Sequence, residues 1–246
     1  MIVLFSDFGL EGPYIGQIKA LLVREVPQVA IIDLFADAPL FNPQASAYLL
    51  AAYVAAFPPE TIFLCVVDPG VGSSERHVAV VNIDGRWFVG PDNGLFNIVA
   101  QRGTAVQWWD VAWRPESLSA TFHGRDLFAP LAARLAKGES PPGQRQDYRQ
   151  RLTPGWPEDY WHIVYIDHFG NAMTGIRAGI MPRTSRLVVR GHHLSYARTY
   201  SDVPPGGGFW YENANGLIEI AINQGRAEEH WGLTLGNVVS QSEIDS

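Results

Sequence analysis

Cysteine is almost missing from this 246-residue chain, where Cys65 stands alone. One thiol can form no internal disulfide and no thiolate metal cluster. Its place in the apolar run TIFLCVV (61–67) marks it as a core residue, because a nucleophilic thiol needs an accessible, electropositive setting. Long apolar runs are missing as well. The longest, ASAYLLAAYVAAF over 45–57, is too short to span a bilayer, so no membrane partner is expected. The opening MIVLFSDFG has no basic region and meets an acid at Asp7, so no signal peptide is expected and a cytoplasmic location is. Positive charge is in deficit: 18 Lys and Arg against 25 Asp and Glu leave a net charge of −7. That balance argues against nucleic acid or an anionic membrane surface and suits a small or cationic ligand. The seven histidines show no HExxH spacing, so no metal site is expected. Neither GPYIG (12–16) nor Gly206-Gly207-Gly208 matches a phosphate-binding or dinucleotide-binding loop, and no GxSxG elbow is present.

What is present is a globular composition, 47% apolar and 17% charged, in a chain long enough for one large domain or two modest ones. IVLFS (2–6) reads as a buried strand, and Ile15, Ile18, Leu22 and Val26 share one face of a helix that Pro27 stops. A strand over 29–35 follows, then a helix capped by Asn42 with Pro43 at its first position, running to Phe57. Residues 77–84 and 86–90 read as a hairpin across Asp84-Gly85, and helices are expected up to Arg102 and up to Gly138. This alternation predicts an α/β domain with a mostly parallel sheet over residues 1–140. Prolines and glycines then punctuate a polar linker over 141–158. Residues 159–246 show short β runs (HIVYID, RLVVRG, HLSYARTY, GFWYEN, LIEIAIN) and no convincing helix, which predicts an all-β, barrel-like domain.

Polar groups collect where apolar runs end. The stretch VVDPGVGSSERH (66–77) has the form of a buried strand delivering Asp68 at its carboxyl end, where open α/β sheets bind ligands. A turn in which Asp68 only bonds its own backbone fits equally. Asp7 could grip a diol bidentately or close an Asx turn, and His123 could accept a proton near neutral pH or cap the helix behind it. Asp68, Arg76 and His123 together offer a carboxylate, a fixed cation and a titratable base, a set able to activate water.

The segments SDFG (6–9), YIGQIKA (14–20), VVDPGVG (66–72), FVGPDNGLF (88–96), TFHGRD (121–126), IDHFGN (166–171) and YENANGLIEIAINQG (211–225) occur in this order. Together they resemble the S-adenosylmethionine (SAM) hydroxide adenosyltransferase family, adenosine-forming SAM hydrolases related to fluorinase and chlorinase. The resemblance implies an α/β domain followed by a β-barrel domain, and a homotrimer whose active sites lie between one subunit's N-terminal domain and the next subunit's C-terminal domain. It implies SAM and water as substrates, adenosine and L-methionine as products, and no cofactor. Asp7 matches the family residue that holds the ribose hydroxyls, and Asp68, Arg76 and His123 match the set that separates hydrolases from halogenases. Phe41 and Phe122 fall where aromatic rings flank the substrate. Asp167 and Asn171 match holders of the methionine end, and Glu212, Asn213 and Asn215 fall in the segment that contacts adenine. The chain departs from the family pattern at Gly12, at 33–39, at Ala214 and in a turn before Arg76 that is one residue longer. A halide-dependent SAM halogenase and a non-catalytic SAM or adenosine sensor are the alternatives on the same fold.

Overall fold

The computed structural model describes residues 1–73 and 77–242. The chain folds as two compact units, Met1–Gly155 and Trp156–Ser246. The residues of the expected linker are shared between them, and Gln144–Gln146 form a strand of the first unit's sheet.

The described residues of the first unit form seven strands: β1 (Ile2–Ser6), β2 (Ile31–Phe35), β3 (Ile62–Val66), β4 (Val78–Ile83), β5 (Arg86–Pro91), β6 (Val106–Asp110) and β7 (Gln144–Gln146). They form one sheet in the order β2-β1-β3-β5-β4-β6-β7. Strands β2, β1, β3, β5 and β6 run one way, while β4 and β7 run against their neighbours. The sheet is therefore mixed, with its continuous parallel half on the side of β1 and β3. Both of these strands are buried along their whole length, as strands covered on both faces must be. Helix α1 (Tyr14–Glu25) buries Ile18 and Leu22 against one face of the sheet, together with α4 (Ala129–Ala136). Helix α2 (Pro43–Tyr53) starts as its sequence predicts, with Asn42 Oδ1 accepting from Ala45 N at 3.0 Å. It tightens into a 3₁₀ turn over Val54–Ala56 before Phe57. The β4–β5 hairpin turns at Asp84 and Gly85, with φ of 48° and 81°, the twist that a two-residue hairpin loop requires. Helix α3 (Asn97–Arg102) completes the unit, and Cys65 is fully buried.

The second unit holds β8 (Tyr160–Ile166), β9 (Ala172–Arg177), β10 (Arg186–Val189), β11 (His192–Leu194), β12 (Gly208–Glu212), β13 (Leu217–Ile222), the short helix α5 (Ala227–Trp231) and β14 (Val239–Ser242). The barrel-like expectation resolves into two antiparallel sheets, β12-β13-β9-β8 and β11-β10-β14. The single bridges His162–Val238 and Tyr196–Trp210 join the edges of the two sheets, but no continuous ladder closes them into a barrel among the described residues. Helix α5 corrects the expectation of an all-β domain. Its five residues are too few for a periodic apolar signal, and Gly232 ends it in the left-handed conformation. No helix of the described residues is long and apolar enough to cross a membrane.

Candidate active site

Strands β1 and β3 pair in parallel, with Ser6 opposite Val66, so Asp7 and Asp68 leave the same sheet edge side by side. The Asp7 amide donates to the Val66 carbonyl at 3.3 Å. Asp7 Oδ2 accepts from the Phe41 amide at 3.0 Å, a partner 34 residues away, so the local Asx turn is not what Asp7 builds. To deliver that amide, Phe41 takes a left-handed φ of 55°. Burial pushes the Asp7 carboxyl above its usual range, the Phe41 amide opposes this, and the nearby Asp68 charge adds to it.

Asp68 satisfies both readings of its stretch. Oδ1 accepts from the Gly70 amide at 3.3 Å, as a turn residue does, and the side chain also lines a cavity of about 340 Å³ with Asp7 and His123. Gly72 permits this arrangement. Its φ is +86°, and an added Cβ would lie 2.6 Å from the Ala120 carbonyl oxygen, so the Asp68 turn rests directly on the segment leading to His123. Arg76 lies outside the described residues.

His123 is almost fully buried and precedes a wide helical turn, Gly124–Phe128, to which it gives no side-chain cap. The loop before it is braced by Asp126, which accepts from the Ser119 amide at 3.0 Å and from Arg125 Nε and Nη2 at 2.6 and 2.9 Å. Arg125 holds the Asp126 carboxyl below the usual range, helped by the Ser119 amide, and its guanidinium lies 5.0 Å over the Phe122 ring.

Phe122 belongs to an aromatic trio. It meets Phe8 edge-on at 5.9 Å and Tyr14 edge-on at 5.3 Å, and all three rings line the cavity. Phe8 and Tyr14 are functional candidates that sequence reasoning misses. Their signals are place and motif, since Phe8 follows Asp7 within SDFG and Tyr14 opens α1 at the start of YIGQIKA. Phe41 lies on the same cavity and is 68% exposed, so its ring is available to a ligand. Gly124 is the other close approach, because a Cβ there would come within 2.9 Å of the Phe8 ring.

The remaining candidates lie in the second unit. Asp167 and Asn171 clasp each other across the β8–β9 turn: Asn171 N donates to Oδ1 at 2.8 Å and Asn171 Nδ2 to Oδ2 at 3.0 Å. Asn171 lines a larger cavity, about 590 Å³, with His168, Phe169, Tyr200 and Arg226. Glu212, Asn213 and Asn215 line neither cavity. Glu212 pairs with Arg183 on the surface. Asn213 is buried and accepts the amides of Asn215 and Leu217, both at 3.0 Å, which shapes the β12–β13 turn. Among the described residues no group of His, Cys, Asp and Glu is arranged to hold a metal ion.

Residues 2–144 match the SAM hydroxide adenosyltransferase N-terminal domain, and residues 161–240 match its C-terminal domain. The chain belongs to the SAM hydroxide adenosyltransferase family. It is 36% identical to the (R)-S-adenosyl-L-methionine hydrolase of Thermus thermophilus, over 96% of each chain. It is 34% identical to the protein of the same name from Salinispora arenicola, over 94% of each. A fluorinase from Nocardia brasiliensis is more distant, at 23% over 96% of this chain and 94% of its own. Among solved structures, an uncharacterized conserved protein from Thermotoga maritima superposes with a TM-score of 0.87 at 30% identity, covering 99% of this chain and all of that one.

Proposed function

We propose that this family member hydrolyses SAM to adenosine and L-methionine. The observation that carries the reading is the placement of Asp7, Asp68 and His123 on one cavity beside the rings of Phe8, Tyr14 and Phe122. Water attacks the ribose 5′ carbon in line, the carbon–sulfur bond breaks, and its electron pair leaves with sulfur as neutral methionine. The water proton is lost on the way to adenosine. Asp7 holds the ribose diol, as paired carboxylate oxygens do in nucleotide sites. Asp68 orients ribose or water, and His123 takes up and relays the proton. Arg76 is assigned to stabilise the incipient hydroxide on the strength of the resemblance. Hydroxide and sulfonium lose their charges as they combine, so an aromatic, poorly hydrated wall favours the transition state over the separated ions. The trio and Phe41 also attract the sulfonium by cation–π contact, worth about 0.5–2 kcal/mol.

Asp167 and Asn171 are proposed to hold the methionine end, and Glu212, Asn213 and Asn215 to border the adenine. The reaction so written calls for no cofactor. The assembly proposed with it is a cytoplasmic homotrimer, each site drawing on one subunit's N-terminal domain and the next subunit's C-terminal domain. The exposed rings of Phe41 and Phe169, each on a cavity, support a surface that a partner covers.

Incubating the purified protein with SAM, with and without chloride, and separating the products tests the reading. Adenosine and methionine are expected in both. A 5′-halo-adenosine would assign a halogenase, and bound but unchanged SAM a sensor. Asp68→Ala and His123→Ala should each lower kcat by about 100-fold or more, the scale of a positioned acid or base. Near-wild-type rates in both would remove these residues from the chemistry.

A further inference from the structure

Glu219 is an acid in the middle of β13, whose other residues, Leu217, Ile218, Ile220, Ala221 and Ile222, are all apolar. It is only 2% exposed. A buried carboxylate is costly unless a cation or several donors meet it, and among the described residues no cation pairs with Glu219. Donors meet it instead. Tyr211, opposite it on β12, donates to Oε1 at 2.5 Å, and Asn213 Nδ2 donates to Oε2 at 2.8 Å. The Tyr211 hydroxyl lies 3.0 Å from that of Tyr200, which receives Asn171 Nδ2 at 3.0 Å. The same Nδ2 reaches Asp167 Oδ2 at 3.0 Å.

The hydrogens of this chain balance. Four bonds link Asp167 to Glu219, and four hydrogens are available to fill them: two on Asn171 Nδ2 and one on each tyrosine. A carboxylate only accepts, so Tyr211 must donate to Glu219, Tyr200 to Tyr211, and Asn171 to Tyr200. A proton on Glu219 facing Tyr211 would turn both hydroxyls round and set Tyr200 as donor against Asn171 Nδ2. Burial pushes the Glu219 carboxyl upward, the Tyr211 and Asn213 bonds hold it down, and the Asp167 charge adds repulsion. With both Nδ2 hydrogens committed, Oδ1 is the atom Asn171 has left. It accepts no hydrogen bond among the described residues, on a residue 4% exposed that lines the 590 Å³ cavity. Arg226 on the same cavity is engaged by Glu228, Glu229 and the His168 carbonyl. Two carboxylates that no cation among the described residues pairs with thus stand behind a wall that presents an acceptor.

We propose that Glu219 is a positioning residue for the cationic amino-acid end of the substrate, acting through Tyr211 and Tyr200 to fix Asn171 and Asp167 as acceptors for its ammonium group. The inference rests on the reading of Asp167 and Asn171 as holders of that end. In Glu219→Gln the side-chain NH2 must face either Asn213 or Tyr211, both donors. In Tyr211→Phe the chain loses its middle hydroxyl while the ring is kept. Each variant should raise the KM for SAM by about tenfold, the scale of a hydrogen bond to a charged group, with kcat changed less than about threefold. Adenosine lacks the amino-acid end, and in Tyr211→Phe, which leaves the bond from Asn213 to Glu219 in place, its affinity should stay within about twofold of wild type, a shift too small to count as a lost hydrogen bond. Tyr211→Phe decides the matter if Glu219→Gln does not fold. An unchanged KM in both variants, or parallel losses in kcat and adenosine affinity in Tyr211→Phe, overturns the positioning role. Calorimetric binding of L-methionine separates this role from the hydrolase reading. Wild-type protein that binds methionine without cleaving SAM, with variants that lose that binding, supports the role and sinks the reaction. Wild-type protein that binds neither compound overturns both.

Discussion

At the scale of single residues, Asp7 shows how binding and stability oppose each other in this site. Its carboxylate is held in a partly buried place beside a second carboxylate, and its pKa is raised above 3.8. A raised acid favours the folded state most when protonated, so this contribution is lost as pH rises from about 3.8 through the folded value. Asn in place of Asp7 can still accept the Phe41 amide but carries no charge. Asp7→Asn should therefore melt higher than wild type at pH 7, with the gap closing as pH is lowered toward 3.8, in calorimetry across that range. The same variant should bind SAM at least about tenfold more weakly, having lost a charge-assisted bond to the ribose. A lower melting temperature at pH 7 would refute the strain. Asp7 and Asp68 were legible as polar residues ending apolar runs and His123 as an imidazole just before a helix, but each read as well as a turn or cap residue until the family resemblance set the three together. Phe8 and Tyr14 were not, because an aromatic residue beside a strand end or at a helix start reads as ordinary packing until a third ring arrives from residue 122. Glu219 was within sight as the one charge in LIEIAI, but its partners sit on other strands.

At the scale of elements, two turns decide whether the site exists. Gly72 lets the turn after β3 lie against Ala120, and Gly124 lets the turn after His123 lie against Phe8. Gly72→Ala adds a Cβ 2.6 Å from a backbone oxygen at a φ of +86°. The expected cost is about 1–3 kcal/mol of stability, the usual size for a strained backbone position, seen as a lower denaturation midpoint. Because the turn must lift away from the His123 segment, kcat should fall further than stability alone explains in the fraction that stays folded. A variant with normal kcat would show that this close approach is incidental. The elements themselves were largely readable. The Asn42-Pro43 helix start, the Asp84-Gly85 hairpin and the Gly138 stop all rest on local backbone chemistry and appear as the sequence predicts. Strands β6, β9 and β14 carry no such local signal. AMTGIR and VSQS are strands through their pairing, since neither shows a clean alternation or a β-branched run.

At the scale of the whole molecule, the α/β half followed from alternating strands and helices, but a barrel could not be told from two packed sheets by strand count alone. Closure depends on which edges pair, and that is a property of register. In the proposed closed ring, light scattering should give three times the 27.2 kDa chain mass, stable on dilution to micromolar protein. A monomer there would remove the shared site. The register of β1 on β3 has a consequence for how such a protein can vary. Asp7 and Asp68 are 61 positions apart in the chain, yet their spacing is set by five consecutive strand pairs, Ile2–Ile62 through Ser6–Val66. Insertions or deletions in the helices and loops between them leave that spacing untouched. Two of the places where this chain departs from its family's pattern, Gly12 and residues 33–39, lie inside that tolerant interval, so differences there can accumulate without separating the two carboxylates.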